Sequence, residues 1–233
     1  MYVVLGPTAC GKTKYAVNLA LQTNGEIISA DSRQIFRGMD IGTGKDLKDY
    51  TVDNQHILYH LIDIREAGDT YSVYQFVKDF EIAYADIMAH GKTPILCGGT
   101  GLYISAVVEN YQFNHPATEK TPNNASFSHH NCNIIGLFPG RAEVMRRIGL
   151  RLQERLENGM IEEVHNLLNN GISYEKMQSY GLEYKFVSQY LKGILTYDEM
   201  FRLLNIAIRQ FAKRQMTWFR KMERSDVKIE WIC

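Results

Sequence analysis

Apolar positions in the first half of the chain fall into short runs separated by longer helical patterns. "YVVL" (2–5) ends at Gly-Pro and is followed by a helix-type pattern from Lys12 to Leu21, which reads as strand, loop and helix. "EIIS" (26–29), "ILYHLI" (57–62), "PILC" (94–97) and "NIIGLF" (133–138) are further runs of strand length. Between 57–62 and 94–97, Val73, Phe76, Val77, Phe80, Ala83, Tyr84 and Ile87 recur at helical spacing, with Ser72 as N-cap and Gly91 as the stop. Strands alternating with helices predict an α/β fold, a mostly parallel sheet with helices on both faces.

Beyond residue 140 the pattern is helical until "VKIEWI" (227–232) offers a last strand. "NHPATEKTPNNASFSHHNCN" (114–133) is polar, carries two prolines and keeps no period. It reads as an exposed, mobile linker at 111–133 within one P-loop α/β domain spanning 1–233. His115, His129, His130 and Cys132 match no standard zinc spacing and are expected to be linker residues. No internal repeat is visible.

The 233 residues are 45% hydrophobic and 22% charged, enough for a well-buried domain. Lys+Arg and Asp+Glu both total 26, so attraction for a polyanion must come from local patches. Cys10, Cys97, Cys132 and Cys233 form no C-x-x-C pair, and neither a charged leader nor a run approaching a membrane span is seen. The expected setting is the cytoplasm.

"GPTACGKT" (6–13) fits G-x-x-x-x-G-K-[ST] between a strand and a helix. Gly6, Pro7, Thr8, Ala9, Cys10, Gly11, Lys12 and Thr13 are therefore expected to cradle a polyphosphate. Successive N–H groups and the helix dipole attract the anion, Lys12 neutralises it, and Thr13 holds Mg²⁺. Which polyphosphate is bound stays open. Asp31 ends another apolar run, so it too should lie at the C-terminal edge of the sheet, where ligands gather. A carboxylate beside a phosphate makes sense as a metal ligand or as an acceptor for a nucleophile's proton, and less specifically as the cap of the next turn. Ser32 and Gln34 add groups able to read a base edge.

The blocks "GPTACGKT", "SADSRQIFRGMDIGTGK", "HLID", "CGGTGLYISAV", "GMIEEV" and "AKRQMTWFR", in this order, resemble the tRNA dimethylallyltransferases, also called tRNA isopentenyltransferases. The resemblance spans most of the chain apart from residues 111–133. It implies that the N6 amine of adenosine 37 in tRNA attacks C1 of dimethylallyl diphosphate and expels pyrophosphate. The P-loop then holds the donor's diphosphate rather than ATP. Lys12, Asp31 and Thr100 are implied as catalytic, with Asp31 receiving the amine's proton and Thr100 contacting the donor's bridging oxygen or the acceptor. Implied tRNA contacts are Asp31, Ser32, Arg33, Gln34, Arg147, Arg151, Lys213, Arg214 and Arg220. Two stripes agree in spacing: Arg202, Arg209, Lys213 and Arg220, and Arg147, Arg151 and Arg155, although such stripes are usually solvated helix faces.

Two departures bear on the acceptor. The 111–133 segment is too short for the family's helical insert, which grips the anticodon stem, and Glu183 in "QSYGLEY" stands where a basic residue is usual. A free AMP, ADP or ATP acceptor, as in the adenylate isopentenyltransferases, is the rival reading. A P-loop nucleotide kinase would need an Arg-rich lid, and a non-catalytic RNA-binding relative would have lost the chemical positions, which are intact here.

Overall fold

The parallel sheet expected from the apolar runs is formed, and the alternation of residues along its strands sorts the helices onto two faces. The computed structural model describes residues 1–111 and 132–233. In chain order come β1 (Tyr2–Leu5), α1 (Lys12–Thr23) and β2 (Gly25–Ala30). A short 3-10 helix (Leu47–Tyr50) leads into a hairpin of β3 (Thr51–Val52) and β4 (Gln55–His56). β5 (Tyr59–His60), α2 (Val73–Ala89), β6 (Thr93–Gly98) and α3 (Gly101–Val108) follow. The second half holds β7 (Asn133–Leu137), α4 (Arg141–Glu157), α5 (Met160–Asn169), α6 (Tyr174–Ser179), α7 (Leu182–Leu191), α8 (Tyr197–Arg224) and β8 (Glu230–Ile232).

Among the described residues the main sheet has the order β5-β2-β6-β1-β7-β8, with every neighbouring pair parallel. Val3, Leu5, Ile28, Ala30 and Leu96 point to one face, where α2, α3 and the C-terminal helices cover them. Val4, Ile27, Ile95 and Cys97 point to the other, against Ala16, Val17 and Ala20 of α1 and against Tyr50. The period of two along each strand thus feeds two cores at once. Ser72 caps α2 in a reciprocal capping box with Gln75, as the hydroxyl before the apolar stripe suggests. Phe76 of α2 stacks on Tyr103 of α3 at 4.2 Å between ring centroids, joining the helices on that face.

Two expected strands are shorter than their apolar runs. Of 57–62 only Tyr59 and His60 pair, because Leu61 and Asp63 adopt positive φ of 62° and 56° and turn the chain. The turned segment then bonds to residues 34–37, through Ile64 N to Ile35 O and Arg37 N to Arg65 O, both 2.9 Å. Of 227–232 only Glu230–Ile232 is strand. The expected linker, with His115, His129 and His130, falls largely outside the described residues; at its far edge Cys132 packs against the core and Asn133 opens β7. No described helix is long and apolar enough to cross a membrane.

Candidate active site

The register of the three central strands brings the motif-bearing loops of the sequence to one edge. Leu5 and Ala30 both lie beside Gly98, so the loops after β1, β2 and β6 leave the sheet side by side. β6 sits between the other two. At ~4.8 Å per strand, the P-loop and Asp31 therefore depart roughly 10 Å apart. A cavity of about 960 Å³ opens there, lined by Thr8, Lys12, Thr13, Asp31, Arg33, Gln34, Cys97 and Gly99, and on its far side by Arg147, Arg151 and Arg155 of α4.

The P-loop is formed with positive φ at Gly6 and Gly11, 151° and 93°, and at Ala9, 62°. Lys12 Nζ donates to the Pro7 carbonyl at 2.8 Å and lies 3.8 Å from Cys10 Sγ, folded over the loop it would leave to meet an anion. The buried Cys97 senses both sides of the site. Burial pushes its thiol up to about 12, with Lys12 opposing the shift and Cys10 and Asp31 adding to it. Tyr103 is likewise raised to about 12, by burial first and then by Asp31. Among the described residues no cluster of three or more His, Cys, Asp or Glu could cage a metal. One hydroxyl, Thr13, beside a diphosphate fits Mg²⁺, which takes most of its oxygens from phosphate and water.

Asp31 does cap the next turn. Its Oδ1 accepts from Arg33 N at 3.0 Å, a bond that fixes the carboxyl at the cavity wall. Thr100 Oγ1 accepts from Ser32 N at 3.0 Å and donates to Ser32 Oγ at 3.4 Å, so the loop after β6 fastens the loop after β2. Neither Ser32 nor Thr100 lines the large cavity; Ser32 lines a smaller one of about 360 Å³ behind Arg33. Gln34 lines the large cavity, yet its Oε1 accepts from Ser29 Oγ at 2.9 Å and its Nε2 donates to Gly44 O at 3.1 Å. Its amide braces the loop rather than standing free for a base.

The stripes separate. Arg147, Arg151 and Arg155 face the cavity, paired with Glu143, Asp46 and Glu183 respectively. On α8 it is Ile208, Phe211 and Gln215 that line it. At ~100° per residue, the Arg202, Arg209, Lys213 and Arg220 sector points roughly 150° away, toward solvent. Arg214 lies between, its guanidinium 5.8 Å from the Phe211 ring.

Several residues that hold the site were not singled out from the sequence. Gln215 accepts from Thr8 N at 2.8 Å and donates to Gly99 O at 2.9 Å, joining α8 to the P-loop and to the loop after β6. Glu163 of α5 accepts from the backbone N–H of Asp40, Ile41 and Gly42 at 2.8, 2.7 and 3.0 Å, and from Tyr184 OH at 2.7 Å. Lys45, 1% exposed, donates to Phe36 O and pairs with Asp40 and Asp63. Gln215 and Glu163 lie in "AKRQMTWFR" and "GMIEEV", so the blocks were visible and the partners were not.

Comparison with known proteins decides what this assembly is. The "IPP transferase" family model matches residues 34–128 and 115–222, and the "Isopentenyl transferase" model matches 1–61. The chain is 47% identical over 281 residues to tRNA dimethylallyltransferase 2 of Porphyromonas gingivalis, covering all of this chain and 93% of that one. It is 44% identical over 283 residues to tRNA dimethylallyltransferase 1 of Azobacteroides pseudotrichonymphae, covering 92% of it. The chain belongs to the tRNA dimethylallyltransferase family. Among solved members, the full-length tRNA isopentenylpyrophosphate transferase from Bacillus halodurans superposes with a TM-score of 0.83 at 30% identity, over 99% of this chain and 88% of that one. Alignments of 281 and 283 positions exceed the 233 residues here, so these tRNA dimethylallyltransferases carry residues with no counterpart in this chain. The two matches to the family model overlap at residues 115–128.

Proposed function

We propose that this protein transfers a dimethylallyl group from dimethylallyl diphosphate to N6 of adenosine 37 in tRNA, releasing pyrophosphate. The observation that carries the reading is one cavity with the phosphate cradle on one wall and the fixed carboxyl of Asp31 one strand's width beyond β6. The lone pair of N6 attacks C1 of the donor, the C1–O bond breaks, its electron pair leaves with pyrophosphate, and the N6 proton passes to Asp31. Charge growing on the leaving group is met by Lys12 and by the backbone N–H groups of the P-loop. Thr13 would hold Mg²⁺, which when bound supplies further positive charge at the diphosphate. Arg33, Arg147 and Arg151 are the basic side chains best disposed toward an RNA entering the cavity, whereas Lys213 and Arg220 face away from it. A reducing, cytoplasmic setting belongs to the same reading and is supported by four free cysteines.

A second reading keeps the chemistry and takes free AMP, ADP or ATP as acceptor. The residues missing relative to the aligned family members favour it, since the family's insert is what grips an anticodon stem.

Asp31→Asn tests the role of the carboxyl, because the amide oxygen can still accept from Arg33 N and keep the loop in place. Turnover should fall by on the order of a hundredfold or more with donor affinity retained. An unchanged kcat would remove Asp31 from proton transfer.

A further inference from the structure

On the wall of the cavity formed by α4 and α7, two guanidinium groups share one carboxylate. Glu183, 5% exposed, accepts from Arg33 Nη1 at 3.0 Å and from Arg155 Nη1 at 3.4 Å. The other bond of Arg155 is equally long, 3.4 Å to Gly42 O, and its buried Nε has no partner among the described residues. Arg151, paired with Asp46, converges on the same point. A Cβ built on Gly44 would lie 2.9 Å from Arg151 Nη2 and closer still to Arg155 Nη2, and Gly44 has φ of 65°, so a side chain there is excluded on both counts.

The charges do not balance. The contacts just given group Arg33 and Arg151, of like sign, and Glu183 and Asp46, of opposite sign, with Arg155. Glu163 is engaged by three backbone amides and Tyr184. Three guanidiniums therefore face two carboxylates. A cation 13% exposed, with long bonds and an unmet N–H, is destabilising unless an anion from outside completes it. Burial, and then Arg151, hold its guanidinium below the ordinary range, the same deficit seen from the proton's side. Planar, forked donors suit phosphate oxygens.

The phosphate in question is not the donor's. The P-loop leaves β1, with β6 between it and β2, whose following loop carries Arg33. Arg33 sits two residues from Asp31, whose carboxyl its own N–H fixes. We propose that Arg155, with Arg33 and Arg151, forms a second anion subsite that takes the phosphate attached to the acceptor adenosine. The inference rests on the reading that an adenine nucleotide, in RNA or free, is the acceptor. Either source carries the group.

The test is equilibrium binding to the full chain without donor. One arm compares AMP with adenosine. The other compares an anticodon stem-loop with the same RNA carrying a neutral methylphosphonate 5′ to the target adenosine. The phosphate should strengthen binding about tenfold to a hundredfold in at least one arm, and the responding arm names the source. In Arg155→Met that advantage should shrink toward one while Tm holds or rises, because Arg33 and Glu183 are then balanced. A purely structural Arg155 predicts a lower Tm with the phosphate advantage intact, and a loss of diphosphate affinity alone would assign Arg155 to the donor. Either result overturns the proposal. If the methionine variant does not fold, Arg155→Lys keeps the charge and loses the fork; the advantage should drop to a few-fold, and an unchanged one overturns the subsite. Prenyl transfer scored alongside separates the two claims. Transfer without any phosphate advantage sinks only the subsite, and a phosphate advantage without transfer sinks only the prenyl-transfer reading.

Discussion

Glu163→Ala is the sharpest test of how the C-terminal helices hold the loop that follows Asp31. The carboxylate accepts from three successive backbone amides, 2.7–3.0 Å away, and from the hydroxyl of the fully buried Tyr184. Removing it leaves at least two partly buried donors without partners. At about 1.5–3 kcal/mol per charge-assisted bond, and with the Asp40 amide solvent-exposed and so counted as little, the loss should be about 3–5 kcal/mol. For a chain of this size that is a fall in Tm of roughly 6–20 °C. Glu163→Gln keeps one accepting oxygen for Asp40 and Ile41 and turns its NH₂ toward Gly42 N–H and Tyr184. It should lose about 1.5–3 kcal/mol, roughly half as much. Glu162→Ala, exposed in the same turn, is the control and should move Tm by no more than about 2 °C. The measurement is calorimetric unfolding of the four proteins. A Tm for Glu163→Ala within about 2 °C of the parent, or one above that of Glu163→Gln, would refute the reasoning.

Other consequences follow from the same geometry. Lys12→Ala should weaken binding of dimethylallyl diphosphate and abolish transfer, read by donor titration and product release; undiminished turnover would take the P-loop out of the mechanism. If RNA enters along α4, Arg147→Ala should lower the salt slope of stem-loop binding by about one, and Lys213→Ala and Arg220→Ala should leave it unchanged; the reverse pattern would move the RNA to the outer face of α8. Cys97 is raised from 9.0 to about 12 in the folded chain, so its contribution to stability is complete below 9.0 and is lost as pH climbs to about 12. Cys97→Ala should flatten the alkaline fall of denaturant midpoints across that window, and an unchanged slope would mean that the thiol is not the group responsible.

What was legible in the sequence follows from how far each signal reaches. Apolar runs, helical spacing and short motifs are local, and they located β1, β2, β6 and β7, the N-cap Ser72 of α2 and the P-loop. The placement of Asp31 followed from one further rule, that ligands gather at strand ends. Contacts between distant segments had no such signal. Thr8 and Gln215 are separated by 207 positions, Arg33 and Glu183 by 150, and Glu163 reaches across 121 to 123. Periodicity gathered the basic residues of α8 into one sector yet said nothing about which sector meets the cavity. Ile208, Phe211 and Gln215 show that it is the opposite one. The run at 57–62 is cut to the two-residue β5 because positive φ at Leu61 and Asp63 turns the chain toward the loop that follows Asp31, a tertiary demand that composition does not record.

The central claim is tested most directly by following label from the prenyl group of dimethylallyl diphosphate, with Mg²⁺, into an anticodon stem-loop containing adenosine 37 and, in parallel, into AMP, ADP and ATP. The account predicts label on N6 of the stem-loop adenosine, matched one for one by pyrophosphate. Label on the free nucleotides alone would contradict the tRNA acceptor and establish the second reading, and label on none of them would contradict prenyl transfer itself.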